Sequence, residues 1–243
     1  MEPGFIDNLK IKKMSKRLKR FIFKQSYDYI VYLQKIISIT QICLDKLKRY
    51  NIEISDTLTK YEGKKLISYE LYADLKDKTS SEITYLVNVI GDSSCEAVSY
   101  FNYRKYVKVN KFQIKYTEFS MDTQKILEHF KSLRNWINHI PASLINSDKD
   151  FINQGYEQPY IINPIEIYMN QYVTVELLRD LYNENLLIYG QAKKIFQMCK
   201  KDYSLLIGES VIIRRIYADE PLDVYNKEIV IIAAIMQGLY DDI

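Results

Sequence analysis

Between Ile30 and Leu47 core-type side chains recur three and four residues apart, at Ile30, Leu33, Ile37, Thr40, Leu44 and Leu47. That spacing draws one stripe down an α-helix, and a stripe this long needs other helices to cover it. A second stripe runs through Leu178, Leu181, Ile188, Ala192, Ile195 and Cys199, with Asn185 at a core-type position. An asparagine there either sets the register between helices or subunits, or sits at the edge of the stripe. Seven Gly and five Pro in 243 residues leave few points at which such helices could break. Together these features predict an all-α fold, a helical bundle.

The remaining boundaries follow from local signals. The first long helix is expected from about Ser15 to Arg49, and a weaker one from about Asp56 to Lys76, because Gly63 lies inside it. A third should start at the capping-type Ser80 or Ser81 and run to about Tyr103. The period then changes: Val107, Val109, Phe112, Ile114 and Tyr116 alternate with polar residues around Asn110-Lys111, which predicts a small β-hairpin near residues 106–116. A helix from about Met121 to Asn138 follows, then a loop from Pro141 to Pro164, then a long helix from Ile165 or Val173 to Lys201. Val211–Tyr217 reads as a strand or turn, and Glu228–Tyr240 as a closing apolar helix, with breaks at Gly208 and Pro221. The organisation expected is one helical domain over 1–243, with a basic N-terminal segment (about 1–20) and a C-terminal helical extension (about 165–243).

Charge is unevenly placed although the net value is only +3. Residues 1–24 hold Lys10, Lys12, Lys13, Lys16, Arg17, Lys19, Arg20 and Lys24 against Glu2 and Asp7, either a solvated segment or one that meets phosphates. Arg104, Lys105, Lys108, Lys111 and Lys115 interleave with aromatic residues, the combination that single-stranded RNA binding uses; an edge hairpin kept soluble by lysines has the same pattern. The longest strongly apolar run, Ile229–Met236, falls well short of the roughly 20 residues of a membrane span. The basic start is not followed by a clean apolar core and cleavage site, so no secretory signal is expected. Cys43, Cys95 and Cys199 are scattered, which argues against a disulfide framework and for a cytoplasmic setting. Phosphate-binding glycine loops, HExxH, clustered Cys/His ligands and GxSxG are all absent, so no metal or other cofactor is expected.

The chemistry concentrates in Arg134-Asn135-Trp136-Ile137-Asn138-His139. The chain has two histidines, His129 and His139, and both fall in the stretch Glu128–His139, whose helix has its apolar positions at Ile126, Phe130, Leu133 and Ile137. His129, nearer that face, reads as a packing or boundary residue. The hexapeptide resembles the motif of the HEPN (higher eukaryotes and prokaryotes nucleotide-binding) family: an arginine, a polar neighbour (here Asn135), and a histidine after four residues, near the end of an amphipathic helix. The likeness in identifiable residues covers these six positions, and beyond them only helical class agrees.

Metal-free RNA cleavage needs proton transfer from the ribose 2′-hydroxyl and to the leaving 5′-oxygen, and histidine can do either near neutral pH. Arginine supplies permanent charge and several donors to the phosphorane-like transition state. Asn135 and Asn138 are the supporting residues, for the phosphate or the imidazole. The resemblance therefore implies an endoribonuclease acting on single-stranded or looped RNA, with His139 and Arg134 catalytic. It also implies a homodimer that brings two motifs together, and a toxin or abortive-infection effector restrained by an antitoxin or regulatory protein.

On an uninterrupted helix Arg134 and His139 point about 140° apart, while Pro141 disfavours helix at Ile140 and would let the ring swing. Some HEPN toxins carry a modifiable tyrosine two positions after the histidine; here that position is Pro141. Glu82, Glu96 and Glu128 are the candidate carboxylates to steady Arg134. The alternatives are a non-catalytic helical RNA- or protein-binding module, or a structural subunit of a larger complex.

Overall fold

The computed structural model describes residues 21–109, 114–138, 171–216 and 228–232, and of 138, 214–216 and 228–232 the backbone alone. Within them the chain is mostly helical, as the stripes predict. The elements are α1 (Ser26–Lys60), β1 (Leu66–Ser68), α2 (Tyr69–Gly91), α3 (Tyr100–Lys108), α4 (Met121–Asn138), β2 (Tyr172–Thr174), α5 (Val175–Ile207), β3 (Ile212–Ile216) and β4 (Glu228–Ile232). No described helix is long and apolar enough to cross a membrane.

The first stripe is buried as its spacing requires: Leu33, Ile37, Thr40, Leu44 and Leu47 are all interior, and the face continues through Asn51 to Ile54. α1 starts later than expected, at Ser26. The Asp28 carboxylate accepts the backbone N–H groups of Lys24 and Gln25 at 2.6 and 3.0 Å, closing the first turn. It also runs past Arg49 to Lys60, and Gly63, at φ +76°, reverses the chain there.

α2 then begins at Tyr69, not at Ser80 or Ser81, which lie inside it. Ser80 and Ser81 continue a helix already begun, whereas Ser68 ends β1 and Ser99 is itself extended, each directly before a helix start. Ser99 Oγ accepts the Asn102 N–H at the head of α3. α5 is capped by Thr174 Oγ1, which accepts the Leu177 N–H at 3.3 Å, and stopped by Gly208 at φ +76°.

Among the described residues the antiparallel pairing is not where the alternation at 106–116 placed it. Leu66–Ser68 pairs with Tyr172–Thr174, so two short strands clip together the starts of α2 and α5. Residues 106–108 are the last turn of α3, because Tyr100, Tyr103 and Val107 recur at helical spacing and all three enter the core; residues 114–120 carry no strand. Glu228–Ile232, expected in a closing helix, is a strand parallel to Ile212–Ile216, in keeping with its β-branched run. The basic segment 1–20, Lys111, Phe112, the Pro141–Pro164 loop and residues 233–243 lie outside the described residues.

α1 runs antiparallel to both α2 and α5. Lys46–Glu82 and Glu53–Lys78 tie α1 to α2, and Gln34 donates to the Tyr203 hydroxyl of α5 at 2.6 Å. The core between them falls into two clusters. The larger holds Leu33–Leu47 of α1, Ile83–Ile90 of α2 and Ala192–Tyr203 of α5, joined by α3 and α4. The smaller holds Ile54, Ile67, Tyr72, Leu75, Val175 and Leu178. On each of the three long helices a buried polar residue separates the two: Asn51, Thr79 and Asn185. Asn185 is therefore interior and not at the edge of its stripe. Thr79 Oγ1 bonds the carbonyl of Leu75, whereas both side-chain polar atoms of Asn51 and Nδ2 of Asn185 have no hydrogen-bond partner.

Candidate functional site

α4 spans the residues its sequence pattern predicts, because Ser120 caps it. Ser120 Oγ accepts the Thr123 N–H at 3.2 Å, and its carbonyl accepts Gln124 N–H at 3.0 Å. Ile126, Leu127 and Phe130 are buried and Leu133 is half-buried, but Ile137 is 42% exposed beside Trp136 at 53%. The buried face therefore ends a turn earlier than the apolar spacing suggests.

What seats α4 is a glycine. A Cβ on Gly91, the last residue of α2, would lie 2.5 Å from the Phe130 carbonyl carbon and 2.6 Å from the Lys131 nitrogen. Only a residue without a side chain lets the end of α2 abut the α4 backbone this closely. The next residue, Asp92, is thereby brought beside Arg134, one turn further along α4, and its Oδ2 accepts from Arg134 NH2 at 3.3 Å. Both side chains are partly covered, Arg134 being 22% and Asp92 13% exposed.

The loop that carries Asp92 is held in several places. Asp92 Oδ1 accepts the Ser94 N–H at 2.8 Å, and Ser99 Oγ donates to the Asp92 carbonyl. The Tyr32 hydroxyl donates to the Ala97 carbonyl and accepts the Ser99 N–H, while Asn102 Nδ2 donates to the carbonyls of Ser94 and Ala97. The carboxylate facing Arg134 is thus preorganised by buried groups of α1 and α3.

None of the three glutamates expected to steady Arg134 does so. Glu82 pairs with Lys46 at 3.0 Å, Glu128 with Lys131 at 3.3 Å, and Glu96 is exposed. Sequence spacing could not have found Asp92, since the contact is made across two helices; the nearest signal is a glycine ending a helical stripe directly before an acidic residue. Asn135 is exposed beside Arg134. Asn138 is the last described residue of α4, and His139 lies outside the described residues. His129 is exposed, not packed, with Nδ1 2.8 Å from Gln191 Oε1 of α5.

The basic cluster divides. Arg104 is 4% exposed and belongs to the interior, not to a nucleic-acid surface. Its NH1 donates to Asp202 Oδ2 at 2.8 Å, where the Tyr100 hydroxyl also donates, and the Thr117 N–H donates to Oδ1 at 2.7 Å. Three donors on one buried carboxylate tie α3 and the 114–120 segment to α5. Burial pushes the Tyr100 and Tyr103 phenols well up, so the surroundings of this hub stay uncharged apart from the pair itself. Lys105 and Lys108 are exposed and line a cavity of about 240 Å³ between α3 and α4. Lys115 is exposed on a separate groove of about 830 Å³ shared with Lys200 and Lys201.

No family model, curated protein or solved structure matches this chain.

Proposed function

We propose that the protein is a metal-independent endoribonuclease that cleaves single-stranded or looped RNA, leaving 2′,3′-cyclic phosphate and 5′-hydroxyl ends. The observation that carries this reading is Arg134, held by Asp92 near the end of a helix whose sequence there resembles the HEPN motif. A guanidinium pre-set in position loses less freedom when the transition state forms. His139 transfers the protons, and Asn135 and Asn138 orient the phosphate or the imidazole.

One chain offers one motif histidine for a reaction that uses both an acid and a base. A two-fold dimer supplies the second, and the exposed Trp136 and Ile137 within the motif segment give it an apolar contact. In a cell the activity suits a cytoplasmic toxin or phage-defence effector, kept in check by an antitoxin or regulatory protein.

Purified protein incubated with total RNA in EDTA tests this. Cleavage by the parent, lost in both Arg134→Ala and His139→Ala, is the expected result, and Trp136→Glu should give a monomer by light scattering. Intact RNA with the parent protein would favour the rival, a non-catalytic helical module that binds RNA or protein.

A further inference from the structure

We infer that the cavity between α3 and α4 is a base pocket, taking one unpaired base of an RNA strand whose neighbouring phosphate reaches Arg134. The inference rests on the nuclease reading for that second contact.

Two features of the cavity point to this occupant. The first is its size. At about 240 Å³ it lies below the roughly 300–1,000 Å³ of pockets for drug-sized ligands, so it suits one planar ring system. The second is its lining. Phe101 and Phe119 line it, Phe119 with the Arg104 guanidinium 3.8 Å from its ring centre; Gln124 offers an amide that can both donate and accept, and Lys105 and Lys108 line it as exposed side chains. Aromatic surface for the base and lysines for the backbone are what a single strand needs.

The pocket is also continuous with the motif. Lys131 lies 4.9 Å from the centre of the Phe101 ring and pairs with Glu128, a lining residue. It is three residues before Arg134, about 4.5 Å along the helix axis. A strand with one base in the cavity would therefore run past Lys131 towards the Arg134–Asp92 pair. A base already paired in a duplex could not enter, so the pocket selects unpaired RNA.

The test uses the full-length chain and a 12-nucleotide RNA, 2′-O-methylated throughout so that it cannot be cleaved, with a central 2-aminopurine. Expected are quenching of the 2-aminopurine, tighter binding of the single strand than of its duplex, and roughly 5- to 100-fold weaker binding by Phe101→Leu. In Lys105→Gln/Lys108→Gln the slope of log affinity against log salt should fall by about 1.4, two phosphates at about 0.7 each. Circular dichroism establishes that each variant is folded.

Equal affinity for strand and duplex, unchanged binding by both variants, no binding, or equal displacement by polyglutamate would overturn the pocket. Cleavage of total RNA is scored separately. A parent that binds the oligonucleotide through Phe101 but leaves RNA intact keeps the pocket and loses the nuclease. One that cleaves RNA while Phe101→Leu changes nothing keeps the nuclease and loses the pocket.

Discussion

Asp92 and Arg134 are each partly covered, and their link at 3.3 Å spans 42 residues of chain. Such a pair is worth more than a surface ion pair but less than one sealed from water. A double-mutant cycle with Asp92→Ala and Arg134→Ala, read by urea unfolding, should give a coupling of about 0.5–3 kcal/mol; additive effects would mean that the two do not hold each other. The cysteines make an independent check. Cys95 is exposed, while Cys43 and Cys199 are buried. Burial, with help from Glu82, pushes the Cys43 thiol up to about 12, and burial also raises the Cys199 thiol well above its ordinary value. Native protein at pH 8 should therefore take up one equivalent of maleimide, and denatured protein three. The Cys43 shift also weakens the fold as pH climbs from the ordinary thiol value of 9.0 towards about 12, because the unfolded chain gives up this proton first.

Two glycines on helices should respond with opposite signs to the same change. At Gly91 an added methyl meets the α4 backbone at 2.5 Å, so Gly91→Ala should cost about 1–3 kcal/mol and push Asp92 away from Arg134. At Gly190, within α5, nothing lies within 4 Å of the added methyl, so Gly190→Ala should gain about 0.5–1 kcal/mol in thermal unfolding. The contrast also marks what could be read from residues alone. The start of α4 was legible because its apolar period, through Ile126, Phe130 and Leu133, sets in where the helix does. The face of α1 was legible for the same reason, since its period and its burial coincide. The start of α2 was not, because Ser80 and Ser81 look like caps until the preceding strand is known. The 106–116 alternation misled because Val107 fits both periods, and only the buried rings of Tyr100 and Tyr103 decide for the helix. The motif singles out Arg134 as a candidate, while its partner Asp92 depends on how two helices meet, which no spacing encodes.

Across the whole molecule the Asp202 hub and the polar layer act in opposite ways. Asp202 binds α3 and the 114–120 segment to α5 through three donors; losing it leaves the Arg104 charge buried and uncompensated. Asp202→Ala should therefore destabilise by about 3–5 kcal/mol in chemical denaturation. The layer of Asn51, Thr79 and Asn185 divides what the helices otherwise join. Apolar packing on one side does not extend to the other, so the end containing β1, β2 and the first turns of α2 and α5 has its own, smaller free energy of opening. Amide protons of Leu71–Leu75 and Val175–Leu178 should exchange through a partial melting that spares Leu33–Leu47 and Ile83–Ile90. Asn51→Leu, by removing unmet donors and acceptors from the seam, should slow that exchange and merge the two rates towards one. A protein divided in this way can loosen at one end while the platform for Asp92, on the far side of the seam, keeps its shape.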